Sequence, residues 1–335
     1  MPLTQSTVFK STVISLLLFC VSVLPARAEI KVVTSIKPVH SLVSAVMQGV
    51  GTPGIIVDGA GSPHTYALKP SQARMLQSAD VFFWVGPDLE PFLQKTLQTV
   101  AANAKSVELL DTQDLAKLRF REGGAFEAHD DHDEHHGHDH GHDHDHDKHK
   151  KAAHKDEADH GEFDPHIWLD PGNAKALVKK IESVLASADP TNAATYRKNA
   201  QATETKLDAL ITETESLLKP LVGKQFVVFH DAYHYFENRF GVKAGGSITV
   251  SPEVMPGAER VNEIRAKVKA LGATCVFAEP QFEPKLIATV LEGTSAKAGV
   301  IDPLGTELEN GTDLYFKLIR NMGNSIKTCL AEASS

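Results

Sequence analysis

The sequence predicts an α/β fold: two lobes of mainly parallel sheet flanked by helices, joined by one long rigid helix. Three observations carry that expectation. Short β-rich runs alternate with helical patterns in both halves of the 335-residue chain, as parallel strands with crossover helices require. Between Pro190 and Pro220 there is neither glycine nor proline, and Leu207, Leu210, Ile211, Leu217 and Leu218 fall at helical spacing. From about Arg121 to Glu162 periodicity vanishes, which marks a long disordered loop inserted within the first lobe.

In chain order, Ile30–Ile36 (IKVVTSI) reads as a strand, followed by a helix through VHSLVSAVMQ. GIIVD is a second strand, and KPSQARMLQSA a helix with proline in its first turn. DVFFWVG is a strand, LEPFLQKTLQTVA a helix, and KSVELL ends the first βα series. Helix resumes from Asn173 to Ala188. In the stretch Asp189–Leu221, about 28 residues of helix would span about 40 Å. The second half repeats the alternation. QFVVF is a strand and AYHYFENRF a helix; VKAGGSITV leads to a loop; PGAERVNEIRAKVKAL is a helix, TCVFAE a strand and PKLIATVLEG a helix. AGVIDPLG is a strand with a turn, and GTDLYFKLIRNMGNSIKTCL the last helix. The lobes are expected at 29–188 and 221–335, with the connecting helix at 189–220. Open α/β sheets bind ligands beyond the carboxyl ends of their strands, so the cleft between the lobes is the expected site.

The first 28 residues are set aside as a leader. Lys10 precedes an apolar core, Val13–Leu24, and PARA ends at Ala28, the pattern of a secretory signal peptide cleaved after Ala28. An uncleaved anchor is the alternative, for which the apolar core is short. Bulky Phe19 before Cys20 disfavours a lipoprotein signal. A periplasmic location follows from this reading. The formal charge is −9 for the whole chain and becomes −11 without Lys10 and Arg27. With no basic face, nucleic acid is not an expected partner. Cys275 and Cys329 remain in the mature chain. In an exported protein an even pair suggests a disulfide. A cysteine metal site is the weaker alternative, because no CxxC spacing exists.

The insertion holds a run of histidines alternating with acids: His129, His132, His135, His136, His138, His140, His142, His144, His146 and His149 lie within HDDHDEHHGHDHGHDHDHDKHK, and His154 and His160 follow. High polarity and like charge argue that the tract is disordered. Flexible sites pay ordering entropy on each binding event, so they are expected to be weak individually and useful collectively, as a metal collector, buffer or sensor. A solvated tract with no required role is the plainer reading.

Outside the tract stand five histidines. His64 follows the strand GIIVD in the turn GAGSPHTY, His166 lies in FDPHIWLD just after the insertion, and His230 follows the strand QFVVF. A single histidine after a strand is commonly a capping or surface residue; three such positions spread over both lobes argue for convergence on one metal in the inter-lobe cleft. Asp302, in VIDPLG, also follows a strand and is either a fourth ligand or a turn cap; water is a further candidate for that position. Three imidazoles with at most one carboxylate suit Zn2+ and disfavour manganese and calcium, while copper and nickel remain chemically possible. A site of this kind is expected to weaken below about pH 6, because its ligands must be neutral. His40 lies at a helix start on an apolar stripe, where core or capping duty is expected. His234 is one turn beyond His230, but HDAYH lacks the glutamate of the HExxH metalloprotease motif, so it is read as a rim residue.

The segments TSIKPVHSLV, GSPHTYALKPSQARMLQSADVFFWVGPDLE, HIWLDP, FHDAYHYFENRFG, SPEVMPGAERVNEI, CVFAEPQF and DPLG occur in that order over essentially the whole mature chain. In this the chain resembles the ZnuA-type zinc-binding receptors of bacterial high-affinity zinc ABC transporters, within the metal-receptor group called cluster A-I. The resemblance implies two α/β lobes on a backbone helix, a cleft metal site at His64, His166 and His230, and an inner-membrane permease as partner. It implies Asp302 as fourth ligand in some members, with water or a nearby carboxylate in others. Some zinc members carry a glutamate just before the first histidine; here that residue is Pro63. A histidine-rich insertion before HIWL and a disulfide matching Cys275 and Cys329 also belong to the resemblance. The expected protein is a monomeric receptor and not an enzyme. Two rival classes are a secreted zinc hydrolase, for which the sequence offers an acid near one ligand, Asp231, but no recognised catalytic motif, and a periplasmic metal-storage protein.

Overall fold

The computed structural model describes residues 29–121, 126, 162–249, 256–272, 275–282 and 284–332. The expected leader lies outside these residues. The first sheet is built from β1 (Val32–Ile36), β2 (Gly54–Val57), β3 (Val81–Trp84) and β4 (Lys105–Glu108), in the order β2-β1-β3-β4 and parallel throughout. Its helices are α1 (Lys37–Val46), α2 (Pro70–Gln77) and α3 (Pro91–Thr99). All five residues of β1 are buried, as expected of a parallel strand with neighbours on both sides and helices on both faces.

Helix α4 (Pro171–Ala188) follows, its first turn capped by the Asp170 carboxylate, which accepts from the Gly172 amide at 2.7 Å, and preset by Pro171. Helix α5 (Ala193–Leu218) is the long connector. It is shorter at both ends than expected, because Pro190 and Pro220 each sit in a flanking 3-10 turn (Pro190–Asn192 and Lys219–Leu221) and cannot donate to a continuing helix. Its buried face, Tyr196, Ala200, Thr203, Leu207, Leu210, Thr214 and Leu218, advances by three or four residues and packs on α4.

The second sheet repeats the first in topology: β5 (Gln225–His230), β6 (Lys243–Thr249), β7 (Cys275–Ala278) and β8 (Lys297–Val300), in the order β6-β5-β7-β8, again all parallel. Helices α6 (His234–Phe240), α7 (Ala258–Ala270), α8 (Pro284–Leu291) and α9 (Leu314–Glu332) complete it. The run expected only to lead into a loop is β6, a seven-residue strand whose register against β5 shifts between Phe226 and Val228.

The two faces of the second sheet meet different surroundings. Val227 and Phe229 of β5 and Val276 of β7 pack beneath α7 and α8 with Val261, Ile264, Val268, Ile287 and Val290. Phe226, Val228 and Phe277 point the other way, into a core continuous with the first lobe through Trp168, Tyr235 and Tyr315. Side chains alternate along a strand, so His230 at the end of β5 and Glu279 just past β7 fall on that inner face. A shared core makes the lobes one packed body rather than two halves on a free hinge. Cys275 and Cys329 form a disulfide that ties β7 to α9. Among the described residues, no helix is long and apolar enough to cross a membrane.

Candidate metal centre

Three histidines from three distant stretches meet between the sheets. His64 comes from the turn after β2, His166 from the residue before the 3-10 turn Ile167–Leu169, and His230 from the last position of β5. Their ring centroids are separated by 5.4 Å (His64–His166), 5.8 Å (His64–His230) and 5.3 Å (His166–His230). Each offers one ring nitrogen such that all three lie within 4.8 Å of one another, and they are the one such group of histidines, cysteines or carboxylates among the described residues. The Nε2 atoms of His166 and His230 face each other at 3.4 Å. Nitrogens about 2.0–2.1 Å from one zinc ion in tetrahedral array stand roughly 3.4 Å apart, so the spacing of this pair suits a shared cation.

What aims the rings is a pair of buried carboxylates. Asp164 Oδ1 lies 2.7 Å from His166 Nδ1 and also accepts from the His166 amide at 2.9 Å. Glu279 Oε1 lies 2.7 Å from His230 Nδ1. When these carboxylates are ionised they only accept, so Nδ1 carries the proton in both rings and Nε2 is left with its lone pair toward the centre; for His166 this holds above about pH 7, where Asp164 has lost its proton. Neither Asp164 nor Glu279 figured among the site residues expected from sequence. The signals were present: an acid two residues before a histidine in FDPH, and an acid at the end of the strand TCVFAE.

The histidines are tuned in opposite directions. Burial holds His64 well below the ordinary imidazole value, and the neighbouring His166 and His230 push it the same way. His166 is likewise held well below, by burial first and then by His230. For His230 burial also pulls downward, but the charge and hydrogen bond of Glu279 outweigh it and the net shift is upward. Asp164 is pushed up to about 7, mainly by burial. The centre is walled by Leu89, Trp168, Phe282 and Leu304, so a bound cation would be largely screened from water.

Asp302 stands apart from the three-nitrogen group. Its Oδ1 accepts from Gln281 Nε2 (2.9 Å) and the amides of Leu304 (3.0 Å) and Gly305 (3.1 Å), and its Oδ2 from the Thr306 amide (2.6 Å). These bonds fix the DPLG turn, whose Pro303 carbonyl accepts from Trp168 Nε1 at 2.8 Å. Pro63, ahead of the first histidine, is buried and lines the centre, and its side chain has no donor atom for a metal. His40 is a core residue: Nε2 lies 3.1 Å from the Pro53 carbonyl oxygen and Nδ1 3.5 Å from Ser44 Oγ. His234 is half-buried on α6 outside the group. The tract histidines His129, His132, His135, His136, His138, His140, His142, His144, His146 and His149 lie outside the described residues.

The model of the family described as "Zinc-uptake complex component A periplasmic" matches residues 32–329. A Brucella suis protein named "High-affinity zinc uptake system protein ZnuA" is 57% identical over 319 residues, covering 94% of this chain and 95% of that one. A Yersinia pestis protein of the same name is 38% identical over 303 residues, covering 90% and 92%. Among solved structures, one titled "Crystal structure of ZnuA" aligns with a TM-score of 0.69 at 22% identity, covering 90% of this chain and 99% of that one, a likeness of fold. The chain therefore belongs to the family of periplasmic A components of zinc-uptake complexes, which are zinc-binding receptors and not enzymes.

Proposed function

We propose that this protein captures Zn2+ at His64, His166 and His230 and delivers it, as a monomer, to an inner-membrane ABC permease. The observation that carries the reading is the convergence of three imidazole nitrogens from both lobes, two of them aimed by buried carboxylates. Three neutral nitrogens form an N3 set that favours zinc over the oxygen-preferring manganese. The fourth position falls to water or a carboxylate; Asp302 is the acid the resemblance offers, and it would have to surrender turn hydrogen bonds to serve. The shared core between the lobes supports a receptor in which loading is signalled by loops rather than by a wide swing. The lobes are taken as 29–188 and 221–335 with the connector at 189–220, and export by a leader cleaved after Ala28.

The histidine-rich tract, in this reading, collects or senses zinc and raises its concentration near the cleft. Removing residues 127–161 while keeping Arg121 and Glu162 separates the roles. Titration with zinc against a chromophoric chelator is expected to show one tight site retained and the additional weak sites lost. Loss of the tight site in that deletion, with His166→Ala harmless in the full chain, would move the primary site into the tract and overturn the proposal.

A further inference from the structure

The segment that opens the histidine-rich insertion touches both ligand-bearing stretches at once. Leu118 accepts at its carbonyl from the Asp164 amide (2.9 Å), and its own amide donates to the Tyr235 hydroxyl (3.1 Å). That hydroxyl in turn donates to the Asp164 carbonyl (2.8 Å). Asp164, which orients His166, is thus held at its backbone N–H, its backbone C=O and its side chain. Arg119 pairs with Phe163 in an antiparallel bridge, and the guanidinium of Arg119 meets the Glu162 carboxylate. Three residues after Leu118, Arg121 reaches the other ligand. Its Nε donates to Asp231 Oδ2 (3.0 Å), its Nη2 donates to Asp231 Oδ1, and Nη1 and Nη2 donate to the two Glu237 oxygens at 2.7 Å and 2.9 Å. Asp231 follows His230 directly. Glu237 also accepts from the Ala244 amide (2.9 Å), so the grip extends to β6 beside β5.

We propose that Leu118–Arg121 is a clip that sets the spacing of His166 and His230, and that Arg121 is a positioning residue for zinc capture. The inference rests on the zinc-site reading above. The clip belongs by sequence to the first lobe but fastens to α6 of the second, so it bridges the two sides of the cleft where the insertion begins and ends. A planar guanidinium spanning two carboxylates fixes direction as well as distance, which a lysine cannot reproduce. The side chain is 17% exposed and carries the Phe126 ring against its face at 4.0 Å. Buried opposite charges lose more when one partner is removed than an exposed pair does.

The test compares the full-length protein with Arg121→Ala, Arg121→Lys and Tyr235→Phe. Zinc affinity, zinc dissociation rate and the visible absorption of the Co2+-loaded protein are read for each, with His166→Ala as reference. Arg121→Ala is expected to weaken zinc binding about ten-fold, the lower end of what outer-sphere partners contribute. The loss should appear mainly as faster dissociation, with an altered Co2+ spectrum. Lysine should restore little, and Tyr235→Phe should shift the same readouts in the same direction. If Arg121→Ala does not fold, Tyr235→Phe alone decides. Wild-type affinity, dissociation and Co2+ spectrum in the folded variants would overturn the clip while leaving the site intact. Undiminished tight binding in His166→Ala would instead sink the zinc-site reading itself.

Discussion

Glu279 and His230 are paired across neighbouring strands: a carboxylate oxygen 2.7 Å from Nδ1 leaves Nε2 of the same ring facing Nε2 of His166 across 3.4 Å. Glu279 is buried, and its charge acts on the His230 imidazole and on the neighbouring Tyr233 hydroxyl. Replacing it with glutamine keeps an acceptor for Nδ1 but removes the charge; replacing it with alanine removes both. Zinc affinity is expected to fall about ten-fold in Glu279→Gln and closer to a hundred-fold in Glu279→Ala, in line with the loss of outer-sphere partners elsewhere. Competition with a chromophoric chelator measures it. Wild-type affinity in both variants would mean that His230 does not bind through Nε2.

Acid should release zinc in two stages rather than one. Protons compete with zinc for each imidazole, and the competition begins at the pKa of that ring in the folded protein. His230 is raised by Glu279, so its competition begins as pH falls through a value above 6.5. Burial holds His64 and His166 well below 6.5, so they join only under much stronger acid. The expected profile loses affinity first with a slope of one proton per zinc. In Glu279→Gln that first stage moves to lower pH, because the group that raised His230 has lost its charge. Affinity measured from pH 8 to pH 5 checks this; a three-proton slope centred near 6.5 would contradict it.

Much of this site was legible in the sequence, and the unread part has a common cause. His64, His166 and His230 stood out because histidines beside strand ends or loops, in both halves of one chain, are a local signal. The faces of β5 were not legible: after Gln225 the run FVVF is apolar at every position, as expected of a strand buried on both sides, so its alternation shows only once α7 and α8 are in place. Glu279 was visible as an acid at a strand end, but its partnership with His230 depends on β7 lying beside β5, and strand order is a long-range property. Arg121 read as the edge of a periodicity-free insertion; its partners lie 110 and 116 residues away. The strand β6 was obscured by Gly245 and Gly246, which weaken any local strand preference.

The disulfide should matter to stability before it matters to zinc. Cys275 on β7 and Cys329 on α9 are 54 residues apart in sequence, so the bond removes about 4 kcal/mol of loop-closure freedom from the unfolded chain in the entropic account. Replacing both with serine is expected to cost on the order of that amount in urea unfolding. The one tight zinc site should survive, since neither cysteine belongs to the three-histidine group. Unchanged stability in the double variant under oxidising conditions would show that the pair does not bridge in solution.

Asp302 offers the sharpest separation between a ligand and a scaffold. As a scaffold its two oxygens accept from three backbone amides and from Gln281, and the turn they build presents Pro303 to Trp168 beside the centre. Removing that carboxylate leaves several amide donors short of an acceptor, at about 1–3 kcal/mol for each one left buried. Asp302→Ala is then expected to lower the stability of the zinc-free protein by at least that much while changing zinc affinity far less than His230→Ala does. As a ligand it would behave in the opposite sense: zinc-free stability nearly unchanged, affinity lost to the extent seen with His230→Ala, and the Co2+ spectrum altered as an oxygen leaves the coordination set. The two readings predict opposite orderings of the same pair of measurements, urea unfolding without metal and zinc competition with it. The geometry of the DPLG turn favours the scaffold, because a carboxylate already saturated by amides gains from zinc only what remains after those bonds are broken.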